Sequence, residues 1–224
     1  MLEFVITSDG SKTLYHPAIG EHYHSRHGAV QESQHVFLGR GLAYFLETHR
    51  SEAVSILEIG FGTGLNFLLS ADYCQKKGIQ LDYTGVEAYP IAMDLLAQTG
   101  YEAYVAPTLW ESFLQHYTAS LQAAQAILVG CSLEIAPCQA LQFATEKRYD
   151  VLYFDAFAAA HQPDMWTAET LRHVSAFLKP GGIFVTYAIT GHLKRTLKSF
   201  GFTIEKVPGA PGKREMLRAI NDHQ

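Results

Sequence analysis

The stretch that most constrains this chain is Val54–Leu69, VSILEIGFGTGLNFLL. An apolar run, Val54–Ile59, carries a single charge, Glu58, near its end, and Gly60, Gly62 and Gly64 follow within five residues. Leu65 then opens an apolar segment of helix length. Alternating glycines pack no side chain and cost chain entropy, so they belong where the backbone turns sharply or approaches something closely. Strand, glycine turn and helix together aim backbone N–H groups and a helix N-terminus at a bound group. The same turn also closes ordinary βα units, so alone it says more about architecture than about function.

The next apolar run separates the possible cofactors. Leu81–Glu87, LDYTGVE, ends in an acid 23 residues past Gly64, near the distance at which a carboxylate caps a ribose. No Lys-Ser/Thr pair follows the glycines, which excludes a P-loop. Gly60-Phe61-Gly62-Thr63-Gly64 also lacks the two-residue gap before the third glycine of the dinucleotide fingerprint. With Glu58 two residues ahead, this tighter form resembles motif I of the class I S-adenosylmethionine-dependent methyltransferases. Resemblance and spacing together favour S-adenosylmethionine over NAD.

A length of 224 residues suits one α/β domain with additions, and 48% hydrophobic against 17% charged residues supplies a sizeable core. No run of 18 apolar residues occurs, so no membrane partner is expected, and the N-terminus lacks the basic-then-apolar pattern of a secretory signal. Cys74, Cys131 and Cys138 are odd in number without CxxC spacing, which reads as buried thiols in a reducing cytoplasm. The net charge of −5 argues against a nucleic-acid partner. Its distribution argues less strongly: from residue 192 to 224 seven Lys and Arg face three Asp and Glu, a local +4 on an otherwise acidic body.

Along the chain, Phe4–Ile6 and Thr13–Tyr15 flank Asp9-Gly10, predicting an N-terminal hairpin. His22, His24, His27 and His35 follow without the helical spacing of a HExxH site, so they read as solvated or ligand-contacting, and no metal is expected. Gln34–Thr48 reads as a helix with Val36, Phe37, Leu42 and Phe45 inward. From Val54 strands and helices alternate, predicting a Rossmann-like, doubly wound and mostly parallel sheet. Helices are expected at 66–75, 90–98, 108–124, 168–178 and 193–200, and strands at 127–135, 150–155 and 183–187. Lys179-Pro180-Gly181-Gly182 reads as a turn, and Phe202–Val207 with Glu215–Ile220 as a closing antiparallel hairpin. Residues 1–50 are expected to form an extension packed on the domain of residues 51–224.

Asp155, directly after an apolar strand and followed by Ala156-Phe157, joins Glu58 and Glu87 at strand ends, where open parallel sheets bind ligands. It is also where a plain helix N-cap would stand. YHSRHGAVQESQHVFL, LEIGFGTGLNFL, FDAF with QPDMW, PGGIFVTY and GFTIEKVPGAPGKREML occur in that order. This series resembles the methyltransferase domain of the MnmC family from about Tyr23 to Leu217. The resemblance implies transfer of a methyl group from S-adenosylmethionine to the amine of 5-aminomethyl-(2-thio)uridine at the tRNA wobble position, with the anticodon region as partner. Bifunctional members carry an FAD-dependent oxidase domain after this one. A chain ending at Gln224 resembles the stand-alone form, for which no FAD is expected.

By the same resemblance Glu58, Gly60, Phe61, Gly62, Thr63, Gly64 and Asn66 belong to the cofactor site. Glu87 holds the ribose hydroxyls, and Asp155 faces the transferred methyl and the substrate amine. Tyr23, Phe157 and Tyr187 are candidates for the sulfonium or the uracil ring, since aromatic faces attract cations and stack on bases. Lys213 and Arg214 would meet tRNA phosphate. The chain departs from the family in one place, carrying Ile135-Ala136-Pro137-Cys138 where a Gly-Asp near the adenine is usual. Three rivals stand beside this reading: a methyltransferase of a small amine or protein, a polyamine-synthase-like aminopropyltransferase, and a non-catalytic tRNA-binding module.

Overall fold

The computed structural model describes residues 2–222; Met1, His223 and Gln224, which the two domain spans include, lie outside the described residues. Strands β1 (Glu3–Ile6) and β2 (Lys12–His16) pair antiparallel, Glu3 opposite Tyr15 and Ile6 opposite Lys12. Asp9 fixes the turn: Oδ1 accepts from Thr7 Oγ1 at 2.7 Å and from Ser11 N at 3.0 Å, a side-chain substitute for a backbone turn bond. A third strand, β3 (Glu21–His22), adds to β2 and is too short to leave a sequence pattern. The expected helix then runs longer than its periodicity suggested. It comprises α1 (Ala29–Ser33), a wider π-wound segment Gln34–Ala43 and α2 (Tyr44–His49), with Val36, Phe37, Leu42 and Phe45 all buried.

The main body follows as β4 (Ala53–Ile59), α3 (Leu65–Lys77), β5 (Gln80–Val86), α4 (Met93–Leu96), α5 (Pro107–Ser120), β6 (Gln125–Leu128), β7 (Cys131–Ala136), β8 (Tyr149–Phe154), α6 (Ala168–Ser175), β9 (Leu178–Thr186), α7 (Gly191–Ser199), β10 (Phe202–Pro208) and β11 (Glu215–Asn221). Eight strands form one sheet in the order β10-β11-β9-β8-β4-β5-β7-β6. The five central strands are parallel, and antiparallel pairs close both edges. Side chains alternate between two cores, as a sheet covered on both faces requires. Val151 and Tyr153 face the core under α3, α5 and the π-wound segment, whereas Leu152 and Phe154 face the one under α6 and α7. The strand order reverses at β4, with β5 and β7 added on one side and β8 and β9 on the other, so the carboxyl ends of the parallel neighbours β4 and β8 open a crevice.

Three expectations are corrected. The apolar run 127–135 is two strands, because Gly130 takes a left-handed φ of 75° and folds the run into a hairpin at the sheet edge. The helix expected over 90–98 is the single turn α4, with Pro90 outside it. Lys179-Pro180-Gly181-Gly182 does not precede its strand but bulges within β9: Tyr149 opposes Leu178 and Val151 already opposes Ile183.

Candidate active site

Three strand ends are tied together by backbone bonds. Gly60 N and Phe61 N both donate to Val86 O, at 3.0 and 3.2 Å, and Asp155 N donates to Ile59 O at 2.9 Å. The turn can sit this close only because Gly60 has no side chain: a Cβ there would lie 2.4 Å from Asp155 O, and φ is +89°. Gly62 N donates to Glu87 Oε2 at 2.9 Å and Tyr89 N to Oε1 at 3.0 Å. The glycine turn therefore orients the acid that follows β5.

Behind the turn Asn66, on the first turn of α3, spans two carboxyl groups. Its Nδ2 donates to Glu58 Oε1 at 2.7 Å and to Asp155 Oδ2 at 2.9 Å, while Tyr83 OH donates to Glu58 Oε2 at 2.8 Å. Glu58 is fully buried, and that burial, with the charge of Asp155, pushes its carboxyl well above the usual carboxylate range against the bonds from Asn66 and Tyr83. Asp155 is pushed up to about 8, chiefly by burial and then by the charge of Glu32; Asn66 and Lys213 oppose the shift. Asn66 Oδ1 is buried without a hydrogen-bond partner.

In front of the turn lies a cleft of about 300 Å³. Gly60, Phe61, Gly62, Glu87, Asp155, Tyr23 and Phe157 all line it. Tyr23 lies against Gly62, where a Cβ would come within 3.1 Å of its Cδ1, and meets Phe157 edge-on at 5.1 Å between centroids. Burial and the neighbouring Glu87 push the Tyr23 phenol up to about 12. His24 also lines the cleft; burial pushes it down to about 4, so it is neutral at neutral pH. Cys138, Gln139, Ala140 and Leu141 also line the cleft, as do Ala88 and Tyr89. Of the segment that departs from the family pattern only Cys138 lines the cleft, and residues 138–141 include no acid.

The remaining sequence-selected residues sit around this cleft. Glu58, Thr63, Gly64 and Asn66 lie behind its surface; Thr63 Oγ1 bonds to Tyr101 OH at 2.9 Å and Gly64 caps α3. Tyr187 OH donates to Ala156 O at 2.9 Å, next to Asp155. Lys213 Nζ sits 3.9 Å over the Tyr187 ring and 2.7 Å from Glu32 Oε1, and Arg214 beside it is exposed. Sequence reasoning did not single out Glu32, the Gln139–Leu141 slot or His16, which lines the cleft with its ring 6.5 Å from that of Tyr23. Glu32 is a buried acid 181 residues from its lysine, a pairing with no local signature. The slot announced itself only through the departure from a motif that ends at Cys138, just before it.

A glycine turn, an acid held through both oxygens and an apolar slot form a donor set that fits a nucleoside carrying a cationic tail. Among the described residues no group of three His, Cys, Asp or Glu could hold a metal ion, and no helix is long and apolar enough to cross a membrane.

Residues 105–222 match a sequence family described as S-adenosyl-L-methionine-dependent methyltransferase. The chain is similar to the tRNA 5-methylaminomethyl-2-thiouridine biosynthesis bifunctional protein MnmC of Methylobacillus flagellatus, 30% identical over 219 residues. That alignment covers 91% of this chain and 33% of the relative. The protein of the same name from Pseudomonas aeruginosa is 33% identical over 218 residues, covering 89% and 32%. The chain thus spans about a third of the length of the curated relatives it matches. Among solved structures, MNMC2 from Aquifex aeolicus superposes with a TM-score of 0.77 at 22% identity, over 98% of this chain and 70% of that one. A class I S-adenosylmethionine-dependent methyltransferase described as putative, from Listeria monocytogenes, gives 0.51 at 16% identity over 82% and 58%. At these identities the two structures establish the fold.

Proposed function

This chain belongs to the S-adenosyl-L-methionine-dependent methyltransferase family, and from that premise we propose that it methylates the amine of 5-aminomethyl-(2-thio)uridine at the wobble position of tRNA, in the cytoplasm. The observation that carries the reading is Asp155, tied through Asn66 to Glu58 and open to a cleft walled by the rings of Tyr23 and Phe157. The MnmC relatives, named for tRNA 5-methylaminomethyl-2-thiouridine biosynthesis, support this substrate class.

Gly60, Phe61, Gly62 and Glu87 would hold the cofactor, with Glu87 on the ribose hydroxyls, a bidentate acceptor role suited to a carboxylate. The slot of Cys138–Leu141 and Tyr89 would take the adenine. Glu58, Thr63, Gly64 and Asn66 would act from behind by fixing the turn and the carboxyl pair. When bound, S-adenosylmethionine supplies the methyl group, the amine lone pair forming the N–C bond as the C–S electron pair leaves with sulfur. Asp155 orients the amine and accepts the proton that the methylated nitrogen sheds. Its raised pKa makes it a better acceptor than an ordinary carboxylate near neutral pH. Tyr23 and Phe157 exclude water and present ring faces to the base. Holding amine and methyl together supplies most of the rate through proximity.

The test is mass spectrometry of wobble uridines from a strain lacking this protein. Accumulated 5-aminomethyl nucleoside, restored to the methylated form by the wild-type gene and not by Asp155→Asn, supports the reading. An unchanged nucleoside profile contradicts it.

A further inference from the structure

The loop that joins β10 to β11 is docked on the N-terminal extension. His35 Nε2 bonds with Pro208 O at 2.8 Å. The His27 ring packs on Gly212, where a Cβ would come within 2.6 Å of it. Ala210 is buried, and Lys213 is half-buried with its ammonium already committed. Glu32 is itself fixed, its Oε2 accepting from Ser25 N at 2.8 Å. A lysine held in this way is a poor phosphate contact, because reaching out would leave Glu32 as an unpaired buried charge. Exposed Arg214 is the better candidate for that role.

Resting on the function proposed above, we infer that Lys213 is a positioning residue of the methyl-transfer site, a fixed positive charge that works against the burial and the Glu32 charge acting on Asp155 and favours the neutral form of the incoming amine. The geometry carries this. Lys213 Nζ lies 3.9 Å over the Tyr187 ring, and the Tyr187 hydroxyl is bonded to the carbonyl of Ala156, the residue after Asp155. Tyr187 thus joins the lysine to the reacting loop.

The other groups facing this corner are mostly acidic. Glu32 on α1 and Glu21 on β3 lie near Tyr187, and Glu58 on β4 lies across Asn66 from Asp155. His24 is neutral, and His27 lies behind the loop. Those acids favour a protonated Asp155 and a charged ammonium on the substrate, and a charged amine has no lone pair with which to attack. The Lys213 charge lowers the Asp155 carboxyl against the burial and the Glu32 charge that raise it. A neighbouring cation lowers the pKa of an amine by the same physics. Lys213 therefore moves both groups toward the reactive pair, carboxylate and free amine, at one pH.

The test compares wild type, Lys213→Met and Lys213→Arg in two readouts. The first is the titration of the Asp155 carboxyl, followed by 13C NMR in protein labelled at aspartate and free of cofactor. The second is the pH profile of single-turnover methylation of an anticodon stem-loop carrying 5-aminomethyluridine. In Lys213→Met both the carboxyl titration and the acidic limb of the rate profile should move up by about one pH unit, with kcat falling more than KM rises at neutral pH. Lys213→Arg should restore both, since it keeps the charge. Glu32→Gln, which leaves Lys213 charged and removes an acid, should move the carboxyl the other way and serves if the methionine variant folds poorly. Identical titrations in wild type and Lys213→Met overturn the inference, and so does a carboxyl shift with an unmoved rate profile. A wild-type protein that leaves the stem-loop unmethylated overturns the proposed substrate instead, while the carboxyl titration still decides whether Lys213 sets the charge at Asp155.

Discussion

Replacing Asp155 with asparagine tests the electrostatics of the cleft through stability alone. The Asp155 carboxyl goes from an ordinary value of 3.8 to about 8 on folding. A carboxyl raised by folding leaves stability whole below its unfolded value and erodes it as pH rises through the folded one. Between roughly pH 4 and pH 8, then, wild type loses stability through this residue. Asparagine has no proton to lose and keeps an oxygen to accept from Asn66 Nδ2, which now lies 2.9 Å from Asp155. The loss amounts to at most about 1.4 kcal/mol for each pH unit in that window. Asp155 opens on the cleft, where water screens its charge, so the difference should total about 1–3 kcal/mol near pH 9. In a chain of this size each kcal/mol moves Tm by roughly 2–4 °C. Urea unfolding of both proteins at about pH 5, 7 and 9 reads the effect. The variant should gain on wild type as pH rises, while its methyl transfer falls about 10²–10⁴-fold. A stability gap that stays flat with pH, or an asparagine variant less stable than wild type near pH 9, would refute the raised carboxyl.

Other substitutions separate the parts of the site. Glu87→Ala should weaken S-adenosylmethionine binding by about 1.5–3 kcal/mol, and wild-type affinity by calorimetry would remove Glu87 from the ribose. Gly60→Ala would place a Cβ 2.4 Å from Asp155 O at a positive φ; it should cost about 1–3 kcal/mol in thermal unfolding and misplace Asp155, so that a variant as stable and active as wild type contradicts the close approach. Arg214→Ala should flatten the dependence of log tRNA affinity on log salt by about one unit or slightly less. Parallel salt titrations for that variant and wild type would put the phosphate footprint elsewhere on the surface.

The parts legible in the sequence are those whose physics is local. The continuous apolar runs of β4 and of 151–154 announce strands covered on both faces, and three glycines in five residues announce the turn. Glu87 and Asp155 could be chosen because an acid directly after a buried strand stands at the sheet's open end. What was not legible depends on contacts between distant segments. Nothing near Glu32 marks it as the partner of Lys213, and nothing near Asn66 marks the bridge between Glu58 and Asp155. Nothing near Thr63 marks the bond between its hydroxyl and that of Tyr101. Gly130 stood inside an apolar run that reads as one strand. Only the left-handed backbone at that residue reveals the hairpin.

The proposed function turns on the fate of one amine. Purified protein, S-adenosylmethionine carrying a labelled methyl group and an anticodon stem-loop with 5-aminomethyl-2-thiouridine at the wobble position put it to the test, read by nucleoside mass spectrometry after digestion. The labelled methyl should appear on the side-chain nitrogen of that uridine in wild type and be lost in Asp155→Asn. Label on a ring atom or a ribose hydroxyl, or no transfer while the cofactor binds normally, would contradict the proposed function.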